Sequence, residues 1–227
     1  MSQAIRRNQS VSITEVKAAY LLAYYHFTYS PIGEAWEHCS KAVRMAYLCG
    51  LHQIDNPNRP ENGLQPSQLD TEEMRCVWWA IYIMDSFCNL MSFTPSNIED
   101  VSMATDLPAI VIAEATTDTF PFCKRRSLED KMDQSWYMVE DAESLRACVQ
   151  NTLVFANSLG REVSCLKRLC RQCPSQKLDS RVADVQVRWE SLLTAMPDWF
   201  LSTQQYELEM TAEDHRQRLE VLTTVHV

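Results

Sequence analysis

Four glycines in 227 residues, Gly33, Gly50, Gly63 and Gly160, leave this chain few places for a backbone with positive φ. Two-residue β-hairpins and glycine-rich phosphate loops both draw on that conformation, so hairpin-built β architectures and nucleotide-cradling loops are disfavoured. Leucine, alanine, glutamate and arginine are plentiful instead, and they favour helices. The expectation is an all-α protein, an irregular multi-helix bundle built from helical hairpins.

Periodicity places the elements. Ile13, Val16, Tyr20, Ala23, Tyr24 and Phe27 recur at three- and four-residue steps, predicting a helix from Ser12 to Tyr29. Ser12 or Ser10 can cap it, and Ser30-Pro31 ends it. Trp36, Cys39, Val43, Ala46 and Tyr47 line a second helix from Ile32 to Cys49, with Gly50 placed to stop it in a left-handed cap. The polar, proline-bearing stretch 56–68 reads as a loop. A third helix opens at Asp70, with Glu73 completing an Asp-x-x-Glu capping pattern, and runs to about Met91. Its Met74, Val77, Trp78, Ile81, Tyr82, Met84 and Cys88 leave little polar face. This Trp-Trp helix is therefore expected to be buried at the centre of the bundle.

Residues 93–128 are irregular by pattern, apart from a short helical turn over 110–115. A long helix is expected to start near Asp130 or Ser135 and reach Cys170. Leu145, Val149, Thr152, Ala156, Leu159, Val163, Leu166 and Cys170 give it a seven-residue seam for an intramolecular partner, a homodimeric coiled coil being the alternative. Another helix spans Ser180 to Met196, with Val182, Val185, Trp189, Leu192 and Leu193 on one face. Trp199, Phe200 and Leu201 form an apolar anchor, and a weak last helix covers Ala212 to Val225. The domain reading is a flexible N-terminus over 1–11, a helical domain over 12–203, and a weakly ordered or truncated segment over 204–227.

The net charge of −9 opposes direct nucleic-acid binding, which rests on neutralising phosphates. Arg6-Arg7, Lys124-Arg125-Arg126 and Lys167-Arg168 with Arg171 are local basic clusters. They read as solvated charges, with a nuclear-import signal as the functional alternative at Lys124–Arg126. Nine scattered cysteines do not form a disulfide framework and fit a reducing compartment. No apolar run is long enough for a membrane span.

Chemistry-bearing patterns are few. Cys170-Arg-Gln-Cys173 is the only Cys-x-x-Cys, and structural zinc needs a second pair or set-spaced histidines. No His-Glu-x-x-His or Gly-x-Ser-x-Gly pattern exists. No catalytic, cofactor-binding or metal-binding residue is assigned, and the chain is not expected to be an enzyme. His38 is placed to face His26 or Glu34 across the first hairpin. Arg44, Arg75 and Asp85 sit in otherwise apolar helices, where an unpaired charge is costly to bury. Asp85 is expected to pair with an arginine of another helix, Arg44 being the first candidate. Arg75 should bond a carboxylate or carbonyl elsewhere. The competing reading lines a ligand pocket with all three. Trp78 and Trp79 point about 100° apart around the helix, so one can anchor the core while the other faces a pocket wall.

Ala42, Arg44, Ala46, Gly50, Leu51, His52, Glu72, Arg75, Trp78, Trp79, Asp85, Leu107 and Pro108 together carry a resemblance. Their order and spacing resemble the fungal-specific transcription factor domain, the middle region of fungal zinc-cluster regulators, over residues 12–109. Trp189, Met196-Pro197 and Trp199-Phe200 resemble a later segment of that family, with Met196 in place of a leucine. Ser92-Phe93-Thr94-Pro95 replaces the Gly-Arg-Pro usual there, so the turn should differ. The resemblance implies a nuclear, non-enzymatic transcription regulator. Its partners would be other regulators or its own dimer, with a small-molecule effector as a further partner. The six-cysteine zinc cluster that would read DNA is not in this sequence. Truncation, a stand-alone regulatory form or a non-functional fragment are the readings of that departure. A small-molecule-binding or catalytic helical protein derived from the fold is the alternative function.

Overall fold

The computed structural model describes residues 11–59, 67–92, 94–108, 126–128, 130, 133–137, 142–172 and 176–201, together with residues 212, 215, 216, 218, 219, 221 and 222. Among these there is no strand. Six α-helices follow in order: α1 (Ile13–Tyr29), α2 (Ile32–Cys49), α3 (Gln68–Ser92), α4 (Ala142–Gln172), α5 (Gln176–Ala195) and α6 (Asp198–Leu201). Short 3-10 turns cover Leu51–Gln53, Asp100–Ser102 and Gln134–Tyr137. Each long helix packs on the next in sequence, and α1 also reaches α3.

Local chemistry explains most of the boundaries. The Ser12 side chain accepts from the Glu15 amide while the Glu15 carboxylate accepts from the Ser12 amide, a reciprocal cap on α1. Helix α2 stops at Gly50, which adopts φ 75°, and the Gly50 amide closes the last turn on Tyr47 and Ala46. The start of α3 differs from expectation. Ser67, not Asp70, caps it: the Ser67 hydroxyl accepts from the Asp70 amide at 3.1 Å, and the Asp70 carboxylate accepts from the Ser67 amide at 3.3 Å. Asp70 thus occupies the reciprocating position of the box, and the helix begins two residues earlier.

The fourth helix differs too. It begins at Ala142, and the residues expected to open it include a 3-10 turn whose Trp136 and Tyr137 are buried. Trp136 meets Phe155 edge-on at 5.9 Å and Tyr137 meets Phe200 at 5.4 Å. Docking two adjacent aromatic rings there holds the chain in a turn instead of a longer helix. Every residue from Thr152 to Leu159 is buried. Over that stretch the seven-residue seam is only one side of a helix covered all round, with α3 and α5 both packed on α4.

Helices α1 and α2 form the expected hairpin. The His26 and His38 rings stack at 4.0 Å across it, and His26 Nδ1 lies 3.3 Å from the Glu34 carboxylate. Trp78 and Trp79 of α3 are both fully buried. Five side chains assigned to apolar faces, the seam or the anchor are instead exposed: Tyr24, Trp36, Cys170, Val182 and Leu201. Trp36 has a polar reason, since its indole Nε1 donates to Asn89 Oδ1 at 3.2 Å. The helical turn over 110–115 lies outside the described residues. Of the last predicted helix, residues 212, 215, 216, 218, 219, 221 and 222 are helical. The buried Arg218 there donates to the Trp199 carbonyl.

Two glycines should respond oppositely to alanine. Gly50 needs a left-handed backbone, and an added Cβ would lie 3.1 Å from the Arg59 guanidinium. Gly50→Ala should destabilise by about 1–2 kcal/mol. Gly160 lies inside α4, where a Cβ would meet Leu90 at an ordinary 4.0 Å. Gly160→Ala should stabilise by about 0.5–1 kcal/mol. Urea unfolding of both variants reads the two signs, and a shared sign contradicts the backbone argument.

Candidate functional site

Asp85 lies on α3 with no exposed surface. A carboxylate there needs donors on every side. It receives them from Asn89 Nδ2 at 2.8 Å, Asn97 Nδ2 at 2.8 Å, the Asn97 amide at 3.2 Å, the Ile98 amide at 3.2 Å and Arg161 Nη1 at 3.0 Å. Arg161 comes from α4 and is itself buried. Its second terminal nitrogen donates to the Ile98 carbonyl and lies 3.3 Å from Asp100, while the guanidinium sits 4.4 Å over the Tyr82 ring. Burial works against the Arg161 charge, yet Tyr82, Asp100 and Asp85 leave its pKa above the ordinary value. Burial also raises the Asp100 carboxyl, against the pull of Arg161 and the Tyr82 hydroxyl.

The network extends to α2. The Ser40 hydroxyl donates to Asn97 Oδ1 at 3.1 Å. Asn89 Oδ1 accepts from Trp36 and, at 2.9 Å, from the Thr94 hydroxyl. The turn after α3 is thus built on hydroxyls: Ser92 Oγ donates to the Cys88 carbonyl and lies 2.7 Å from Thr94 Oγ1. These hydroxyl contacts stand where the resembled family usually has Gly-Arg-Pro.

A second buried cluster fixes the other end of the same segment. Arg75 is 1% exposed and donates to both carboxylate oxygens of Asp55, and to Glu72 at 2.7 Å. Burial opposes its charge, but these two carboxylates raise its pKa overall. Asp55 Oδ2 also accepts from the Asp106 amide at 2.9 Å. Backbone bonds join Asp55 to Ala104 and Ala104 to His52 at 2.9 and 2.7 Å. Thr105 Oγ1 donates to the Leu51 carbonyl at 2.6 Å, and Trp79 Nε1 donates to the Asp106 carbonyl at 2.7 Å.

Held at 97–98 and at 104–106, this segment forms one wall of a cleft of about 1120 Å³. The opposite wall is α4 and α5. Met103 and Leu128 supply apolar surface over the buried Trp79, Ile98 and Phe155, and the buried Arg161 lies at the inner end. Arg168, Arg181 and Arg188 line the helical side, and Asp100, Asp106 and Asp130 line the other. Glu162 of α4 stands between two arginines of α5, 2.9 Å from Arg188 and 3.7 Å from Arg181. The Arg188 guanidinium also lies 5.6 Å over the Phe155 ring.

The expected Arg44–Asp85 pair is corrected: Arg44 is exposed on α2, and the partner from another helix is Arg161. Arg75 has carboxylate partners, as read from the sequence. None of Arg44, Arg75 and Asp85 lines the cleft, whereas Trp79 does, with Trp78 set against Tyr47 and His52. Cys170 is exposed, and Cys173 lies outside the described residues. Among the described residues no group of three or more His, Cys, Asp or Glu side chains could hold a metal ion. No described helix is long and apolar enough to cross a membrane.

The family model described as the fungal specific transcription factor domain matches residues 5–202. The chain belongs to this family. Among similar proteins of this fungal transcription factor domain is the citrinin biosynthesis transcriptional activator mrl3 of Monascus ruber. It is 30% identical over 102 residues, covering 45% of this chain and 20% of that protein. The pigment biosynthesis transcriptional activator pigB of Monascus ruber is 27% identical over 101 residues, 43% of this chain and 18% of that protein. Transcription factor tazR of Aspergillus terreus is 30% identical over 94 residues, 41% of this chain and 15% of that protein. The matched part of this fungal transcription factor domain spans a fifth or less of the length of these relatives. No solved structure matches it significantly.

Removing one partner of a buried ion pair strands the other charge. Arg161→Met should cost about 3–5 kcal/mol in urea unfolding. Adding Asp85→Asn, which keeps a carbonyl for the Asn97 and Ile98 amides, should then recover stability. A further loss on adding the second substitution contradicts the pairing.

Proposed function

We propose that this chain is the regulatory domain of a fungal zinc-cluster-type transcription regulator. It acts in the nucleus through protein contacts and effector sensing and performs no catalysis. The observation that carries the reading is the family match over residues 5–202, supported by relatives named as biosynthesis transcriptional activators. Residues 12–203 are the regulatory unit in this reading. The buried charges of the motif serve packing: Arg75 and Asp85 are consumed by Asp55, Glu72, Asn97 and Arg161. The chain's net charge of −9 supports recognition of DNA by another module, with this domain controlling its output. The cleft beside Arg161 is the place for an effector, being concave, mostly apolar and edged by charge.

Two measurements test this. In a mobility-shift assay the chain alone should give no sequence-selective complex. Fused to a heterologous DNA-binding module, it should change reporter transcription relative to that module alone. Identical reporter output with and without the chain, or tight selective DNA binding by the chain itself, contradicts the proposal.

A further inference from the structure

We infer that the cleft between the 95–106 segment and helices α4 and α5 binds an organic acid with a compact aromatic body. Its carboxylate would be held by the arginines of the helical wall. This gives the effector a chemical class and rests on the regulatory reading for its biological meaning, though not for the binding itself.

The charge arrangement points to an anion. Arg181 and Arg188 are seven residues apart on α5, two turns along one face. Both reach the single carboxylate of Glu162, one to each oxygen. That trio carries one positive charge in excess. Arg168, a further turn or two along α4 from Glu162, donates to the Thr94 carbonyl at 3.2 Å and has no carboxylate against it among the described residues. Arg161 aside, the helical wall therefore holds three guanidiniums against one carboxylate. Arg161 does not share this excess, since Asp85 and Asp100 both face it. The carboxylates of the opposite wall repel an anion, so they orient an acid with its charged end toward α5.

Glu162 already shows the geometry a ligand would use. Arg181 and Arg188 are 49% and 34% exposed, and ion pairs at such exposure are weak. An incoming carboxylate can take one guanidinium while Glu162 keeps the other, with a planar fork-to-fork contact that arginine favours. No buried charge is stranded by that exchange.

The apolar half comes from the rest of the lining. Met103 and Leu128, both half-buried, present apolar surface, with the rings of Trp79 and of Phe155, under the Arg188 guanidinium, buried behind them. Val101 and Val187 stand on opposite lips at 95% and 61% exposure, apolar side chains with little of their own to cover them. A ring system between the lips removes both from water. At about 1120 Å³ the cleft is somewhat larger than the usual small-molecule site, so the ligand would fill only part of it.

Calorimetric titration of the full chain with 2-naphthoate and with its neutral amide, 2-naphthamide, tests this. Naphthoate should bind saturably with one site, about tenfold or more tighter than the amide, because the charge-assisted contacts are lost in the latter. Raising salt should weaken naphthoate and spare the amide. The double variant Arg181→Gln/Arg188→Gln, checked for helical content by circular dichroism, should bind naphthoate about tenfold more weakly. Equal affinity for acid and amide, or no saturable naphthoate binding, overturns the inference. The acid–amide comparison uses the unaltered chain, so it decides the matter even where the variant does not fold. Failure here leaves reporter regulation through protein contacts standing, and loss of reporter activity with intact naphthoate binding removes the regulatory reading alone.

Discussion

The fold is organised by a carboxylate that water cannot reach. Asp85 exchanges its hydration for donors from three separate pieces of chain: Asn89 one turn along α3, Asn97 and Ile98 in the following segment, and Arg161 on α4. Such a group adds little net stability compared with a well-packed apolar substitute, but it tolerates only one arrangement of its partners. Sliding α4 against α3 by one turn would strand both charges. Through Asn97 and Ser40 the same constraint reaches α2. Polar contacts thus link α2, α3 and α4, while the surrounding apolar residues supply most of the burial.

That arrangement gives the 94–108 segment its shape, with no regular structure beyond the 3-10 turn at Asp100–Ser102. A stretch outside any long helix must find partners for its backbone groups. Here they come from the two buried clusters: Asp85 takes the amides of 97 and 98, and Asp55 takes that of 106. Trp79 takes the carbonyl of 106. The conformation of this wall is therefore tied to the helical core at both ends. The facing α5 wall is different, since its polar tie to α4 is the solvent-edged Glu162 trio. One side of the cleft is built in and the other is held by contacts that water screens.

Much of this was readable in the sequence where the physics is local. Proline, glycine and serine placed the ends of α1 and α2 within a residue, because caps act over three or four positions. The need of Arg75 and Asp85 for partners on other elements followed from burial alone. The identity of the Asp85 partner did not, because pairing across 76 residues leaves no local trace. Arg44 could have been set aside. The buried stripe of α2 runs through Ala35, Cys39, Ala42, Val43 and Ala46, and Arg44 falls off it. No such filter points to Arg161: α4 is buried all round from Thr152 to Leu159, so helical period ranks no face above another. Ser67 was overlooked for a related reason, Asp70 being able to play either half of a capping box.

Arg161 joins these two levels. Its guanidinium completes the Asp85 site, covers the Tyr82 ring and faces Asp100, and it also forms the inner end of the cleft. A change in the cleft that shifts Asp100 or Ile98 acts on a side chain already committed to core register. Rearrangement on that side is expensive, since it unpairs buried charge. On the α5 side it costs little, because Arg181 and Arg188 remain partly hydrated whichever carboxylate they face. The polar ties of α5 can therefore be exchanged without unpairing buried charge, whereas α2, α3 and α4 are tied to one another by buried groups.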